Sequence, residues 1–289
     1  GVISQDRKQG ILGNIGRKPD FLNLSVDINQ TVNNTSNSVQ VNLTKEEDLL
    51  ARLMFPVVME SIDRSINRIG PGTAKIHYTI SGENMPQKLE RTDIFFSTTD
   101  VSVLPSLQLA VIIDYLNYNP YQDPKFTDVQ AEVKVMDQIK AGIISSFAVN
   151  KTIFNPGDSL IYKIKVKNYR DEMSSKTGLL KIPENVEPGD YVLAVYGGPR
   201  PQSVAPPQDI LSFDQVITYL RTMKNYEHLS VELLKPLSEQ VVPVSASGYR
   251  YTSAKRVDHK YKDQFILGSK GIAIRIREES EKEPSSENN

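Results

Sequence analysis

Apolar residues recur along this chain at two periods, and the change between them is the first sign of its organisation. Leu50, Met54, Val57, Val58, Ile62, Ile66 and Ile69 fall three or four residues apart, the spacing that lines one face of a helix. Thr44-Lys45-Glu46-Glu47 has the form of a capping box and predicts that this helix starts there. Pro56 predicts a kink, and Gly70-Pro71-Gly72 its end. A second helix is predicted over about Val101 to Tyr118, where Leu104, Leu107, Val111, Ile112, Tyr115 and Tyr118 share a face, with Asn119-Pro120 as the stop.

Strands are predicted around these helices. Phe21 to Ile28 and Ser38 to Leu43 flank an Asn-rich loop, and Ala74, Ile76, Tyr78 and Ile80 alternate with polar residues. From Phe126 onward the pattern is dominated by strands: Phe126 to Met136, Ile139 to Val149, and two runs each launched by Pro-Gly-Asp, at 156–158 and 188–190. Pro suits the first corner of a type II turn and Gly the φ > 0 position that follows it. After the first turn Leu160, Tyr162, Ile164 and Val166 alternate with Lys163, Lys165 and Lys167, the signature of a strand wet on one face. After the second, Tyr191 to Val195 are apolar on both faces, as in a central strand.

These elements predict an α+β chain. An N-terminal α+β unit with two main helices covers 1–122, and an immunoglobulin-like antiparallel β-sandwich covers 123–200. A helix plus β elements completing one of the sheets covers 201–278, and a polar tail follows at 279–289. Within the third segment Pro199 to Pro207 reads as an extended linker and Phe213 to Met223 as a helix capped by Ser212. His228 to Leu234 reads as a strand and Phe265 to Arg277 as a hairpin across Gly268 to Gly271.

Composition narrows the function classes. The 289 residues carry 34 Lys plus Arg against 35 Asp plus Glu, so no global field draws the chain to nucleic acid or an anionic membrane. No apolar run approaches the roughly 18 residues of a membrane span. With no cysteine, disulfides, thiolate nucleophiles and thiolate metal sites are excluded. Cys-free composition is compatible with an extracytoplasmic bacterial protein. The chain opens on Gly1-Val2, which suggests the carboxy-terminal portion of a longer protein. Gly10, Gly13 and Gly16 lie near apolar residues, but neither the dinucleotide fingerprint nor a G-K-[ST] loop is formed. No cofactor is expected.

Without cysteine, hydrolysis would need Ser with His, Ser with Lys, or paired carboxylates. The three histidines, His77, His228 and His259, fall in separate elements without metal-ligand spacing. His77 is predicted to face solvent with Lys75 and Thr79. Tyr251, Lys255, Arg256, His259, Lys260, Tyr261 and Lys262 form the clearest binding patch, with basic side chains interleaved with aromatics. Such a patch can take single-stranded nucleic acid or an anionic polymer; the bland alternative is an exposed loop of mixed charge.

Several motifs follow one another in a suggestive order: Ile3-Ser4-Gln5-Asp6-Arg7 with Gly10, Gly13 and Gly16, then Ile69 to Thr73, Leu116 to Asn119, Asn155 to Asp158, Asn168-Tyr169-Arg170, Ile182-Pro183 and Pro188 to Tyr191. This series resembles the region that follows the peptidase domain in large bacterial proteins of the sporulation stage IV B-type serine peptidase family. In that family the nucleophile is a serine in a Gly-Ser-Gly-Ser-Pro context paired with an upstream histidine, and this chain has neither. The resemblance therefore implies a non-catalytic accessory module from an exported or envelope-associated parent. Its partners would be the upstream peptidase domain of the same polypeptide or an envelope protein or polymer, with no nucleic acid expected. The alternatives are a free-standing binding module for envelope polysaccharide or protein, with Tyr115, Tyr118 and Tyr121 as the first place to look, and a hydrolase with an unrecognised site.

Overall fold

A computed structural model describes residues 20–204, 209–237 and 250–277. The first seven elements are β1 (Phe21–Gln30), β2 (Thr35–Thr44), α1 (Glu47–Ile66), β3 (Gly72–Gly82), β4 (Leu89–Ser97), α2 (Val103–Asn117) and β5 (Phe126–Met136). Their strands form one sheet in the order β2-β1-β5-β3-β4, in which β1 and β5 run parallel and the other neighbours antiparallel. Leu22, Leu24, Val26 and Ile28 on β1, Ile76, Tyr78 and Ile80 on β3, and Val129, Val133 and Val135 on β5 all project to one side. There they pack against Leu50, Met54, Val58 and Ile62 of α1 and Leu109, Ile113 and Leu116 of α2.

The boundary expected at 122/123 therefore falls in the wrong place, because β5 is the middle strand of this first sheet. Its alternating residues complete a one-sided apolar face, and a change from helix to strand pattern says nothing about which sheet a strand joins. The ends of α1 also differ from expectation. Thr44 pairs with Phe21 as the last residue of β2, so the capping residue is Glu46, with no side-chain cap bond. The helix closes at Asn67 in the left-handed region, φ 52°, rather than at Gly70. The Asn-rich loop is reduced to residues 31–34, because both strands of the hairpin extend into it.

The remaining elements are β6 (Ala141–Val149), β7 (Ile153–Phe154), β8 (Ser159–Asn168), β9 (Met173–Lys181), β10 (Gly189–Gly197), α3 (Phe213–Thr222), β11 (His228–Pro236), β12 (Tyr251–Lys260), β13 (Phe265–Leu267) and β14 (Ser269–Ile276). They build a five-stranded sheet, β12-β11-β10-β14-β7, and a four-stranded sheet, β13-β6-β8-β9. Leu160, Tyr162, Ile164 and Val166 of β8 share a core with Leu193 and Val195 of β10 and Leu229, Val231 and Leu233 of β11. The other face of β10 is buried too, with Val192, Ala194 and Tyr196 against Val204, Leu234 and Tyr251. The two Pro-Gly-Asp strands are thus a one-faced strand and a central one.

Their turns differ. Gly157 sits at φ 82° and Asp158 N donates to Asn155 O at 3.1 Å, a closed turn of the expected kind. Gly189, at φ 138°, opens β10 instead. The segment expected to complete one sheet serves three places. Ser212 caps α3 by accepting from Gln215 N at 3.3 Å, and Phe213, Val216, Ile217 and Leu220 join the core of the first sheet. β11, β12 and β14 enter the five-stranded sheet, while β13 joins the four-stranded one beside β6. Phe265 to Arg277 is therefore not a hairpin; Gly268, at φ 93°, lets the chain change sheets between β13 and β14. Residues 3–16, 205–207 of the predicted linker and the tail at 279–289 lie outside the described residues.

A polar and aromatic seam joins the first sheet to the other two. Lys75 Nζ donates to Glu227 at 2.8 Å and to Asp263 at 3.3 Å, and Asn225 Nδ2 donates to Thr92 O at 2.8 Å. Phe265 stacks on Tyr226 at 4.2 Å and meets the edge of Phe96 at 5.2 Å.

Candidate functional site

The histidines come from neighbouring elements, His228 and His259 on the paired strands β11 and β12 and His77 linked to His228 through Thr92 and Asn225, but each ring bonds a different partner. His77 Nδ1 lies 3.0 Å from Thr92 Oγ1 across the β3–β4 pair, and its side chain is half-buried rather than simply turned to solvent. His228 Nδ1 lies 2.9 Å from Asn225 Oδ1 at the seam. His259 Nε2 lies 2.6 Å from the Tyr162 hydroxyl. Burial, and then Lys176, lower the pKa of His259, while burial and then Lys224 and Lys260 lower that of His228. Tyr162 is pushed up to about 12 by burial, reinforced by Tyr261. With the phenol protonated and the imidazole neutral, the tautomer of the ring sets which of the two groups donates. None of the three rings contacts a serine hydroxyl in these pairs. No cluster of three His, Cys, Asp or Glu able to hold a metal ion occurs among the described residues.

The patch from Tyr251 to Lys262 is divided between two faces and the interior. Tyr251 is completely buried, so it belongs to the core and offers no stacking platform. Past an irregularity in β12 near Ala254, His259 turns inward to Tyr162 and Val257 packs on the inter-sheet core. Arg256 lies on the opposite face, donating to Asp258 Oδ1 and Ser230 Oγ, both at 2.8 Å, with its guanidinium 5.8 Å from the Tyr196 ring centroid. Tyr261 is half-buried beneath Lys176. Lys255, Lys260 and Lys262 alone are exposed. Close-spaced residues on a strand part to opposite faces, and that divides the sequence cluster.

The arrangement that does present a surface is on α2. Pro105, Leu109, Ile112, Ile113 and Leu116 are buried, yet Leu104, Leu107, Val111, Tyr115 and, just past the helix, Tyr118 are 41–55% exposed on the other side. The spacing of three and four makes these a continuous apolar stripe, and Asp114 is the only charged residue of the helix. A helix apolar on both sides is ordinarily covered on both. The stripe ends in a groove of about 490 Å³ between the end of α2, the 119–121 turn and α3, lined by Val111, Tyr115, Tyr118, Tyr121, Ile210 and Val216 among others.

Polar bonds hold the groove's aromatic rings in place. Tyr118 donates to Asp48 Oδ1 at 3.0 Å and Tyr121 to Ile210 O at 2.7 Å. Asn119 accepts from the backbone of Tyr121 and Gln122 and donates to Leu116 O, fixing the turn that carries both tyrosines. Their hydroxyls are occupied, and what they show to solvent is ring. Sequence reasoning named Tyr115, Tyr118 and Tyr121; it did not find Ile210 and Val216, which arrive from nearly a hundred residues away with α3.

No helix among the described residues is long and apolar enough to cross a membrane. No protein-family model, no curated protein and no solved structure matches this chain.

Proposed function

We propose that the chain is a non-catalytic interaction module of a sporulation stage IV B-type serine peptidase protein, exported or envelope-associated, in which an α+β unit and an immunoglobulin-like β-sandwich position the peptidase domain. The observation that carries this reading is the apolar stripe of α2 from Leu104 to Tyr118. With one charge on the helix, it suits an apolar protein surface better than a polar or ionic ligand. The occupied bonds of all three histidines add support, since each ring serves a structural pair.

The reading is tested by titrating the chain with a separately purified peptidase domain of that family. Binding is expected for the wild type and is expected to be lost in Leu107→Asp/Val111→Asp, whose positions are exposed. Absence of binding, or hydrolysis of a peptide substrate by this chain alone, overturns it. The groove at Tyr115, Tyr118 and Tyr121 favours a second reading, a free-standing module that takes saccharide or peptide against aromatic rings. Loss of saccharide binding in Tyr115→Ala, with no affinity for the peptidase domain, supports that alternative.

A further inference from the structure

The exposed face of the four-stranded sheet carries charge of one sign only. β6, β8 and β9 together contain no Asp or Glu. Lys163, Lys165 and Lys167 of β8 are all exposed and lie on the face opposite Tyr162, Ile164 and Val166, which are buried in the inter-sheet core. Residues two apart on a strand repeat at about 6.6 Å, so the three lysines leave the sheet at regular intervals. Lys163 pairs in register with Thr177 and Lys165 with Ser175 on β9, both exposed, while Ser145 on the other side donates to Lys165 O at 3.0 Å. Lys163 and Lys165 are thus flanked by hydroxyls and Lys167 by Met173 and Ile143, with no carboxylate beside the row on either strand.

The row also leads somewhere. Lys167 Nζ donates to Asp171 O at 2.9 Å, at the β8–β9 turn. That turn forms one wall of a cleft of about 570 Å³ at the end of the sheet, into which Lys140, Arg170 and Lys262 contribute cations. Lys140, Arg170 and Lys262 have no carboxylate within 4.0 Å among the described residues. Of the two acids lining the cleft, Asp263 is already neutralised by Lys75 and Lys134. Lys262 was part of the predicted binding patch, but its neighbours here are Lys140 and Arg170 rather than Tyr251 and Arg256.

We infer that this track, from Lys163 through Lys167 to the Lys140–Arg170–Lys262 cleft, binds a linear phosphodiester polymer whose repeating units are polyols. Cations at regular intervals match a chain with one phosphate per repeat, and the flanking Ser and Thr hydroxyls match the hydroxyls between phosphates. Nucleic acid fits less well: the aromatics of β6 and β8, Phe147 and Tyr162, point to the core, and Tyr169 is covered by Arg170 at 5.1 Å, so no stacking platform flanks the row among the described residues. The track is independent of the α2 stripe and of the function proposed from it.

Poly(glycerol phosphate) serves as the probe, with polygalacturonate and oligo(dT) as comparators, in titrations of the full chain over a range of salt. Wild type is expected to bind poly(glycerol phosphate) most tightly and with steep salt dependence. Lys163→Thr/Lys165→Thr/Lys167→Thr is expected to weaken binding at least tenfold and to flatten the log–log salt slope by about 2, near 0.7 per lost phosphate contact. Lys140→Gln/Lys262→Gln is expected to weaken it too, whereas Arg64→Gln/Lys88→Thr, on α1 and just before β4, leaves it unchanged. Lysine acetylation footprinting of the unaltered chain gives a readout that needs no variant to fold: the polymer is expected to protect Lys163, Lys165, Lys167, Lys140 and Lys262. No binding, equal binding of polygalacturonate, tighter binding of oligo(dT), equal loss in the Arg64/Lys88 variant, or unprotected track lysines each overturns the inference.

Discussion

Lys75 Nζ and a carboxylate oxygen of Glu227 meet at 2.8 Å across the seam between the first sheet and the β11 end of the second, although 152 residues separate them in sequence. Glu227 is almost fully buried and also accepts from Asp263 N, while Lys75 bonds Asp263 as well. Removing one member leaves a buried charge without its partner, which costs several kcal/mol at fully buried sites. Because 22% of the Lys75 side chain is exposed, the expected loss for Lys75→Met is smaller, about 2–4 kcal/mol in chemical unfolding. Burial lowers the Lys75 pKa, but Glu227 and Asp263 outweigh it and the net shift is upward. A raised lysine pKa contributes stability that is fully present below about 10.4 and is lost as pH rises through the folded value. Wild type is therefore expected to lose stability above about pH 10, and Lys75→Met to lose less over the same range.

Arg91 and Asp93 form a second long-range anchor. Two residues apart on β4, they share a face and pair bidentately at 2.6 and 2.7 Å, both nearly buried. The remaining guanidinium nitrogen, Nη1, donates to Leu220 O and Met223 O, free carbonyls at the end of α3. Arg91→Met leaves one carboxylate and two carbonyls without this donor. A loss of about 3–5 kcal/mol is expected, together with faster amide exchange across residues 213–222. If exchange in α3 stays at the wild-type rate, Arg91 does not dock that helix.

Gly178 is fixed by its neighbour on β8. A Cβ there would lie 2.4 Å from the ring carbon and hydroxyl oxygen of Tyr162, which is buried and pairs with it in register. The ring cannot yield without leaving His259, so Gly178→Ala is expected to cost about 1–3 kcal/mol by overpacking. Tyr162→Leu in the same background is expected to recover part of the loss. Additive losses in the double variant would show that the two side chains do not collide.

The local grammar of the chain was readable and its long-range assembly was not. Period-2 and period-3.6 patterns located both main helices, the α3 cap at Ser212 and the contrast between β8 and β10, because each depends on neighbours a few residues away. Sheet membership depends on which apolar faces meet, so the sequence pattern does not show that β5 belongs with β1 and β3, or that β13 and β14 part to different sheets. The same limit explains the candidate sites. The tyrosines after α2 were recognisable as exposed aromatics, but the α3 residues closing their groove were not. Tyr251 to Lys262 looked like one patch until the strand period and an irregularity near Ala254 sent its members to different faces. In sequence the lysines of β8 are the wet side of a strand; that they lead into a cleft shared with Arg170 and Lys262 depends on the turn and on β13.

The Tyr162–His259 bond makes stability depend on pH in a defined window. The His259 pKa lies below its ordinary value because burial, and then Lys176, disfavour the imidazolium, with Asp258 opposing them weakly. The unfolded chain therefore takes up the proton at a higher pH than the folded one. Where the unfolded state binds more protons, stability rises with pH. It is thus fully present above about 6.5 and falls as pH drops through 6.5 toward the folded value, then levels off. His228 is shifted the same way and adds to the drop. The carboxylates with lowered pKa, such as Asp258 and Asp263, act at lower pH, since their ordinary value is 3.8. Wild type is expected to melt at a lower temperature near pH 5 than near pH 7.5. His259→Gln keeps a polar partner for the phenol without titrating, and should remove part of that difference, with His228→Gln removing most of the rest. A melting difference that survives in His259→Gln/His228→Gln would place its origin outside these two rings.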